Sequence, residues 1–442
     1  MMVVNDVNQL NIDKSKLVLV KNKEGASEQY SLAKPLSYYK DAWLRFKRNK
    51  MSVIATIILS IILFFTIFGP YMKKYDLVET NRKFALKFQE LPAKIPVVEK
   101  LGIFAGRKTL YNRNKAFIDS LNAYDDTIVV KIIREYDGKA DIVVDYYKYI
   151  AYVLSFGDED TPQARIETLT PEEYEEVLQK NAVLRLVEIQ GSNYKVQIDY
   201  FRYALGTAPE DTYFWFGTDG IGADIFTNIW KASRVSLILA TVITVINMII
   251  GIILGSIMGY YGGTLDILFE RFVDIIGNLP FMVILTLLIL RYGSGFAIII
   301  FAFVFNGWIR FYGTTRMQFY RYKNRDYVLA ARSYGAGDAR IIRKHIFPNA
   351  IGTLITSFSL AIPSFIFTES IYSFLGIIKY SKTTSIGRML SEGQTVMQRS
   401  PHMLVFPAIY ISILMITFNL ISNGLRDAFN PTLRGVEEWQ TL

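Results

Sequence analysis

The sequence predicts an α-helical polytopic membrane protein of six transmembrane helices, with an extracytoplasmic α+β domain inserted after the first. Three observations carry this fold class. Residues 51–71 and five stretches between 238 and 421 are apolar runs, most of them near the ~20 residues that cross a bilayer. Residues 73–215 lack such a run and hold β-branched and aromatic segments instead. Cations cluster between two of the apolar runs, as in a loop beside the membrane.

Composition agrees. With 442 residues, 51% hydrophobic content and a positive mean hydropathy, the chain is too apolar for one soluble globule. At 20% charged residues it is too polar for a bare bundle of spans. Cysteine is absent, which excludes disulfide frameworks and thiolate metal sites. The two histidines, His345 and His402, are far apart in sequence and suggest no metal centre. Residues 73–215 hold 20 basic and 23 acidic residues, so the rest of a chain with formal charge +9 carries +12. That excess collects at the N-terminus and in 310–344, where Arg310, Arg316, Arg321, Lys323, Arg325, Arg332, Arg340, Arg343 and Lys344 face only Asp326 and Asp338. The positive-inside rule produces this pattern. The charge therefore points to membrane lipid and away from nucleic acid.

In chain order, 1–34 reads as a polar cytoplasmic tail and 38–50 as an interfacial helix with its cations toward headgroups, together a region 1–50. The first span covers 51–72, too long and too far from the start for a cleavable signal peptide. In the domain 73–215, segments 127–133, 141–149 and 194–203 read as strands. Thr170-Pro171-Glu172-Glu173 opens a helix expected to reach 184. The domain's scattered carboxylates look like a solvated surface, with no phosphate loop or nucleophile motif. Region 216–430 holds the other five spans: 238–261, 272–290 with Pro280 inside, 295–308, 350–367 with a kink at Pro363, and 403–421 with Pro407. Gly251, Gly255 and Gly259 recur every fourth residue, so they share one face for close helix packing. Residues 431–442 form a second tail. Six spans put both termini on one side, and the basic loop makes that side cytoplasmic.

The loop 315–349 contains DYVLAARSYGAGDARIIRKHIFPN, beginning at Asp326. It reads as two short helices about a hinge. The first carries Leu329, Ala330 and Ala331 and stops at Gly335, a suitable C′ residue. Ala336 and Gly337 follow, and Asp338 is placed to N-cap a second helix that Pro348 would block. A connector between spans is the ordinary role of such an element. The spacing of Ala330, Ala331, Gly335 and Pro348, however, resembles the EAA loop of ABC importer permeases, with Leu329, His345 and Phe347 where that pattern favours Glu, Ile and Leu.

Further pieces narrow the resemblance: Gly217-Thr218-Asp219, Arg234-Val235-Ser236-Leu237, GYYGG at 259–263, Thr368-Glu369-Ser370, Gly387-Arg388-Met389-Leu390 and Asn423-Gly424-Leu425-Arg426-Asp427-Ala428. Their order is similar to the C-type permease subunit of peptide ABC importers (the oligopeptide, dipeptide and nickel group), with an enlarged extracellular domain. GTDGIGAD stands where that group favours GTDELGRD, and Ile386 where it favours Trp.

The resemblance implies a bacterial cell membrane location and a pore shared with a B-type permease subunit. It implies two cytoplasmic ATP-binding subunits that hold ATP and Mg, and an extracytoplasmic substrate-binding protein. It places ATPase coupling at Leu329, Ala330, Ala331, Gly335, Ala336, Gly337 and Asp338. No G-x-x-x-x-G-K-[ST] loop occurs, so the chain is expected to hold no cofactor and no catalytic site of its own. Asn247, Asn278, Asn306 and Glu369, polar residues in or beside the spans, are candidates for the translocation path. A helix–helix hydrogen bond is the ordinary role of such asparagines. Nickel or oligosaccharide import is the alternative within this class. A membrane-anchored receptor or scaffold is the alternative outside it, and would need no such loop.

Overall fold

The computed structural model describes residues 38–72, 75, 85–161, 163–380 and 384–429, so the expected tails 1–34 and 431–442 lie outside the described residues. The chain begins with α1 (Tyr38–Arg48), whose Asp41 and Arg45 pair at 2.8 Å, and α2 (Lys50–Phe68), prolonged by a 3-10 turn at Gly69–Tyr71. Asn49 caps α2 by accepting from the Ser52 N–H at 3.2 Å.

The inserted domain is built twice. Its first half runs β1 (Arg107–Asn114), α3 (Lys115–Tyr124), β2 (Val129–Tyr136), β3 (Lys139–Asp145) and α4 (Tyr146–Phe156). The second runs β4 (Glu167–Leu169), α5 (Pro171–Gln179), β5 (Val183–Gln190), β6 (Asn193–Ile198) and α6 (Tyr200–Leu205). Each half folds as one antiparallel three-stranded sheet, in the orders β1-β3-β2 and β4-β6-β5. Pairings recur 54 residues on: Val129 with Val144 becomes Val183 with Ile198, and Ile132 with Ile142 becomes Leu186 with Val196. The register shifts recur too, after Val129 and Ile132 in one half and after Val183 and Leu186 in the other.

The same repeat explains where the strand expectations fail. Segments 141–149 and 194–203 contain DYYKY and DYFRY, and in both the aspartate ends the strand by capping a helix. Asp145 accepts from the N–H groups of Tyr147 and Lys148, and Asp199 from those of Phe201 and Arg202. The next aromatic pair, Tyr147 and Phe201, is fully buried with ring centroids 6.4 Å apart, in a core shared with Phe88, Leu91 and Phe214. The capping box of Thr170 and Glu173 forms, but α5 stops at Gln179 because Asn181 turns into a positive φ and Val183 enters β5.

Beyond the domain come α7 (Ile225–Tyr261), α8 (Gly263–Gly277), α9 (Phe281–Tyr292), α10 (Phe296–Tyr322), α11 (Asp326–Ser333), α12 (Asp338–Phe374), α13 (Ile386–Thr395) and α14 (His402–Phe429). Helices α2, α7, α10, α12 and α14 are long and apolar enough to cross a membrane, and the bent pair α8–α9 supplies a sixth span when counted as one. Three boundaries depart from expectation. Helix α7 starts at Ile225, not 238, because the Asp224 carboxylate accepts from the N–H groups of Phe226 and Thr227. Pro280 does not sit inside a helix; it follows a break where α8 and α9 meet at 67°, as expected for a residue without an N–H. Helix α10 runs to Tyr322, well past the apolar run at 295–308.

The bundle core is a backbone contact. A Cβ on Gly251 would lie 2.5 Å from Phe311 Cβ, one on Gly255 2.6 Å from the Tyr312 carbonyl, and one on Gly259 2.7 Å from Phe319 Cβ. The glycine face thus lets α7 lie directly on α10. At 1.5 Å per residue α7 is about 55 Å long. The inserted domain is seated at its beginning, where Thr218 Oγ1 donates to the Phe88 carbonyl and accepts from the Leu91 N–H. Glu90 accepts from Ser400 at 2.7 Å beside the start of α14. Burial pushes the nearby Asp219 carboxyl up to about 6, although the Ile221 and Ala223 N–H groups donate to it. Helix α11 sits at the other end of α7.

Replacing Gly255 by Leu would force α7 and α10 apart, an overpacking cost of about 1–3 kcal/mol or more. The G255L protein is expected to unfold at a lower temperature than wild type in a detergent thermal-shift assay, whereas Gly220→Ala, in open space, is expected not to.

Candidate functional site

The small-residue loop is anchored on one side and open on the other. Val328 of α11 is fully buried against Tyr260, Phe319, Ile341 and Ile346. Leu329 and Ala330 face outward, Tyr334 is 92% exposed, and Ala331 and Ala336 are half-buried. Gly335, at φ +80°, takes the left-handed C′ position that ends α11, with the Ala336 N–H bonded back to the Ala331 carbonyl.

Two expectations about the second half of the loop fail. Gly337, not Asp338, occupies the N-cap of α12. The Asp338 carboxylate instead accepts from Tyr260 OH at 2.5 Å and Tyr261 OH at 3.3 Å, and Arg332 donates to Tyr260 OH at 3.2 Å. Pro348 does not stop the chain either. Residues Ile341–Ile346 form a π-helical turn, and its wider carbonyl spacing carries the helix past a residue with no N–H. Loop and span are therefore one element, α12.

Tyr260 and Tyr261 both belong to the GYYGG segment at the end of α7, and Lys323 also donates to the Gly259 carbonyl at 3.0 Å. One turn further on, Arg316 grips Asp266 with two bonds of 2.6 and 2.8 Å and pairs with Glu270 at 3.2 Å, while Tyr320 OH also donates to Asp266. The loop, α7, α8 and α10 are thus joined by charge-assisted bonds.

Above this network lies a cavity of about 230 Å³ between α7, α9, α10 and α12. Of the residues proposed for a path, Asn247 and Asn306 line it, together with Thr244, Arg310, Ser364, Thr368, Phe281, Phe303, Phe311 and Phe365. Asn247 is buried against Gly307, and its Oδ1 has no hydrogen-bond partner among the described residues. The other two candidates lie elsewhere. Asn278 caps the α8 break, donating to the Asp274 carbonyl at 2.6 Å. Glu369 is fully buried and accepts from Ser236 at 3.2 Å, Ser373 at 2.9 Å and Tyr380 at 3.1 Å. It ties α7, α12 and the segment after α12 together, and its neighbour Thr368 faces the cavity. Sequence reasoning assigned Arg310 to the basic loop. Its spacing from Asn306, four residues on one helix, was the signal that it shares the cavity.

Residues 251–435 match the family model described as binding-protein-dependent transport system inner membrane component, and 37–90 match the N-terminal TM domain of oligopeptide transport permease C. The dipeptide transport system permease protein DppC of Bacillus subtilis is 38% identical over 227 residues, 51% of this chain and 71% of that one. The oligopeptide transport system permease protein OppC of the same organism is 38% identical over 220 residues, 50% and 72% of the two chains. The dipeptide permease DppC of Lactococcus lactis is 27% identical over 412 residues, 92% and 95% of the two chains, so that likeness extends through the inserted domain.

Removing the Glu369 carboxylate would leave three buried hydroxyls without their acceptor, at about 1–3 kcal/mol for each group left unpaired. Glu369→Ala is expected to lower the unfolding temperature and yield of the purified protein, with Glu369→Gln recovering part of the loss.

Proposed function

This chain belongs to the family of binding-protein-dependent transport permeases, and from that premise we propose that it is the C-type permease subunit of an ATP-driven peptide importer. The observation that carries the peptide assignment is its likeness to relatives named as dipeptide and oligopeptide permeases, one of them matched along nearly its whole length. In this reading the protein lies in the bacterial cell membrane with both termini cytoplasmic. It forms half of a pore with a B-type permease subunit. Two ATP-binding subunits hold ATP and Mg in the cytoplasm, and an extracytoplasmic substrate-binding protein delivers the peptide.

The ATPase contact falls on Leu329, Ala330, Ala331, Gly335, Ala336, Gly337 and Asp338. Small side chains on the open face of α11 favour close approach of another backbone, and Tyr334 beside them offers a large uncovered ring. The other face of the loop is bonded to the end of α7, Arg332 of α11 donating to Tyr260 and Asp338 accepting from Tyr260 and Tyr261. A displacement of α11 therefore pulls α7, and the glycine face passes it to α10. Both helices border the cavity, with Asn247 and Asn306 on the path. Exposed apolar side chains of α9, such as Leu287 and Leu290, suit the partner permease. The inserted domain, held at the start of α7 and α14, suits docking of the binding protein at the pore mouth.

Ala331→Arg and Gly335→Val are expected to abolish peptide uptake and uncouple ATP hydrolysis while the assembled complex still reaches the membrane; normal uptake by both would refute the coupling role. Topology has its own check in a chain free of cysteine. A cysteine placed at Asn122 in the domain is expected to react with impermeant maleimide on intact cells or spheroplasts. One placed at Ser333 is expected to react only after permeabilisation.

A further inference from the structure

Arg310 is out of place for a residue of a basic loop. It lies 12 residues before the end of α10, about 18 Å at 1.5 Å per residue. Asn306, one turn earlier on α10, and Asn247 of α7 line the same cavity, both set in apolar parts of their helices. No side chain among the described residues forms a hydrogen bond or ion pair with its guanidinium; the side-chain bond made at this residue is from Thr314 Oγ1 to the Arg310 backbone carbonyl. The contrast is with Arg316, six residues on, which is saturated by Asp266 and Glu270.

In the single chain the Arg310 side chain is exposed at the edge of the cavity; it stays charged at any physiological pH, and beside apolar stretches of two spans such a cation without a partner is costly. It is stable there only when it faces a polar cavity or meets an anion during the protein's work. The cavity has the composition of a ligand site: aromatic walls from Phe281, Phe303 and Phe365, with a few convergent polar groups. Asn247 Oδ1, buried and unpartnered, is a free acceptor for an N–H. A guanidinium from α10 and an amide acceptor from α7, both lining one cavity, complement a molecule carrying both a carboxylate and N–H donors.

We infer that Arg310 is a cargo-reading residue, which receives the carboxylate of a passing peptide while Asn247 and Asn306 meet its amide groups. This rests on the peptide-import reading and adds the group of the cargo that the pore itself recognises. A guanidinium binds a carboxylate through two parallel bonds, a geometry that neither an amide nor a lysine reproduces. The other source of a carboxylate is an acidic side chain of the partner permease, and the test separates the two.

The assembled importer, reconstituted in vesicles with its binding protein, is assayed with one peptide in two forms, free acid and C-terminal amide. Affinity of the binding protein for each form is measured separately, so that its own preference is divided out. For wild type the free acid is expected to be imported faster. Arg310→Gln is expected to lower the ratio of free-acid to amide uptake by about tenfold, the loss of one charge-assisted contact, and Arg310→Lys to lower it less. If Arg310→Gln reduces both forms equally, the residue pairs with the partner subunit and the inference fails. If it changes neither, Arg310 has no part in transport and the inference fails as well. A wild-type complex that imports neither form would overturn the peptide reading itself, and with it this inference.

Discussion

The contact between α7 and α10 sets everything else in this protein. Three glycines, four residues apart, remove the side chains that would hold the two helices at an ordinary separation. In lipid there is little hydrophobic gain from bringing helices together, so this backbone-level fit has to supply van der Waals contact in its place. The pair becomes a stiff beam. One end of it carries the inserted domain through Thr218, the other carries α11 through Tyr260 and Tyr261, and the cavity is cut into its side.

Around that beam the polar groups divide by whether they are satisfied. Glu369 and Asp266 are saturated with donors and act as ties between helices. Among the described residues the buried Asn247 carbonyl oxygen and the exposed Arg310 guanidinium are not. A buried polar group without a partner costs stability, and proteins keep such groups where they work. That division separates the ties of the framework from the groups left open toward the cavity.

Much of this was legible in the sequence. Apolar runs gave the spans, the glycine spacing gave the α7 face, and the LAARSYG pattern located α11 and its glycine stop. What escaped were effects of capping and of tertiary context. Asp145, Asp199 and Asp224 each convert an apparently extended or loop segment into a helix, because two backbone N–H groups per cap outweigh β propensity. Pro348 looked like a stop, but a π turn absorbed it. That Glu369 and Asn278 lie away from the cavity was not legible, because a polar side chain in an apolar run does not show its facing. The 54-residue repeat was also present in the letters, as DYYKY and DYFRY, and needed a search for internal similarity rather than for strands.

That repeat has a consequence for how the protein is made. Each half of the domain is assembled from a strand, a helix, a hairpin and a short helix, with every strand pairing kept inside that half, and such local wiring folds fast. During synthesis the domain emerges after α2 and before α7. Both halves are able to close while the later spans are still on the ribosome. The seat at Thr218 and Ser400 forms only afterwards, so a finished module is delivered to the bundle and the bundle does not wait for it.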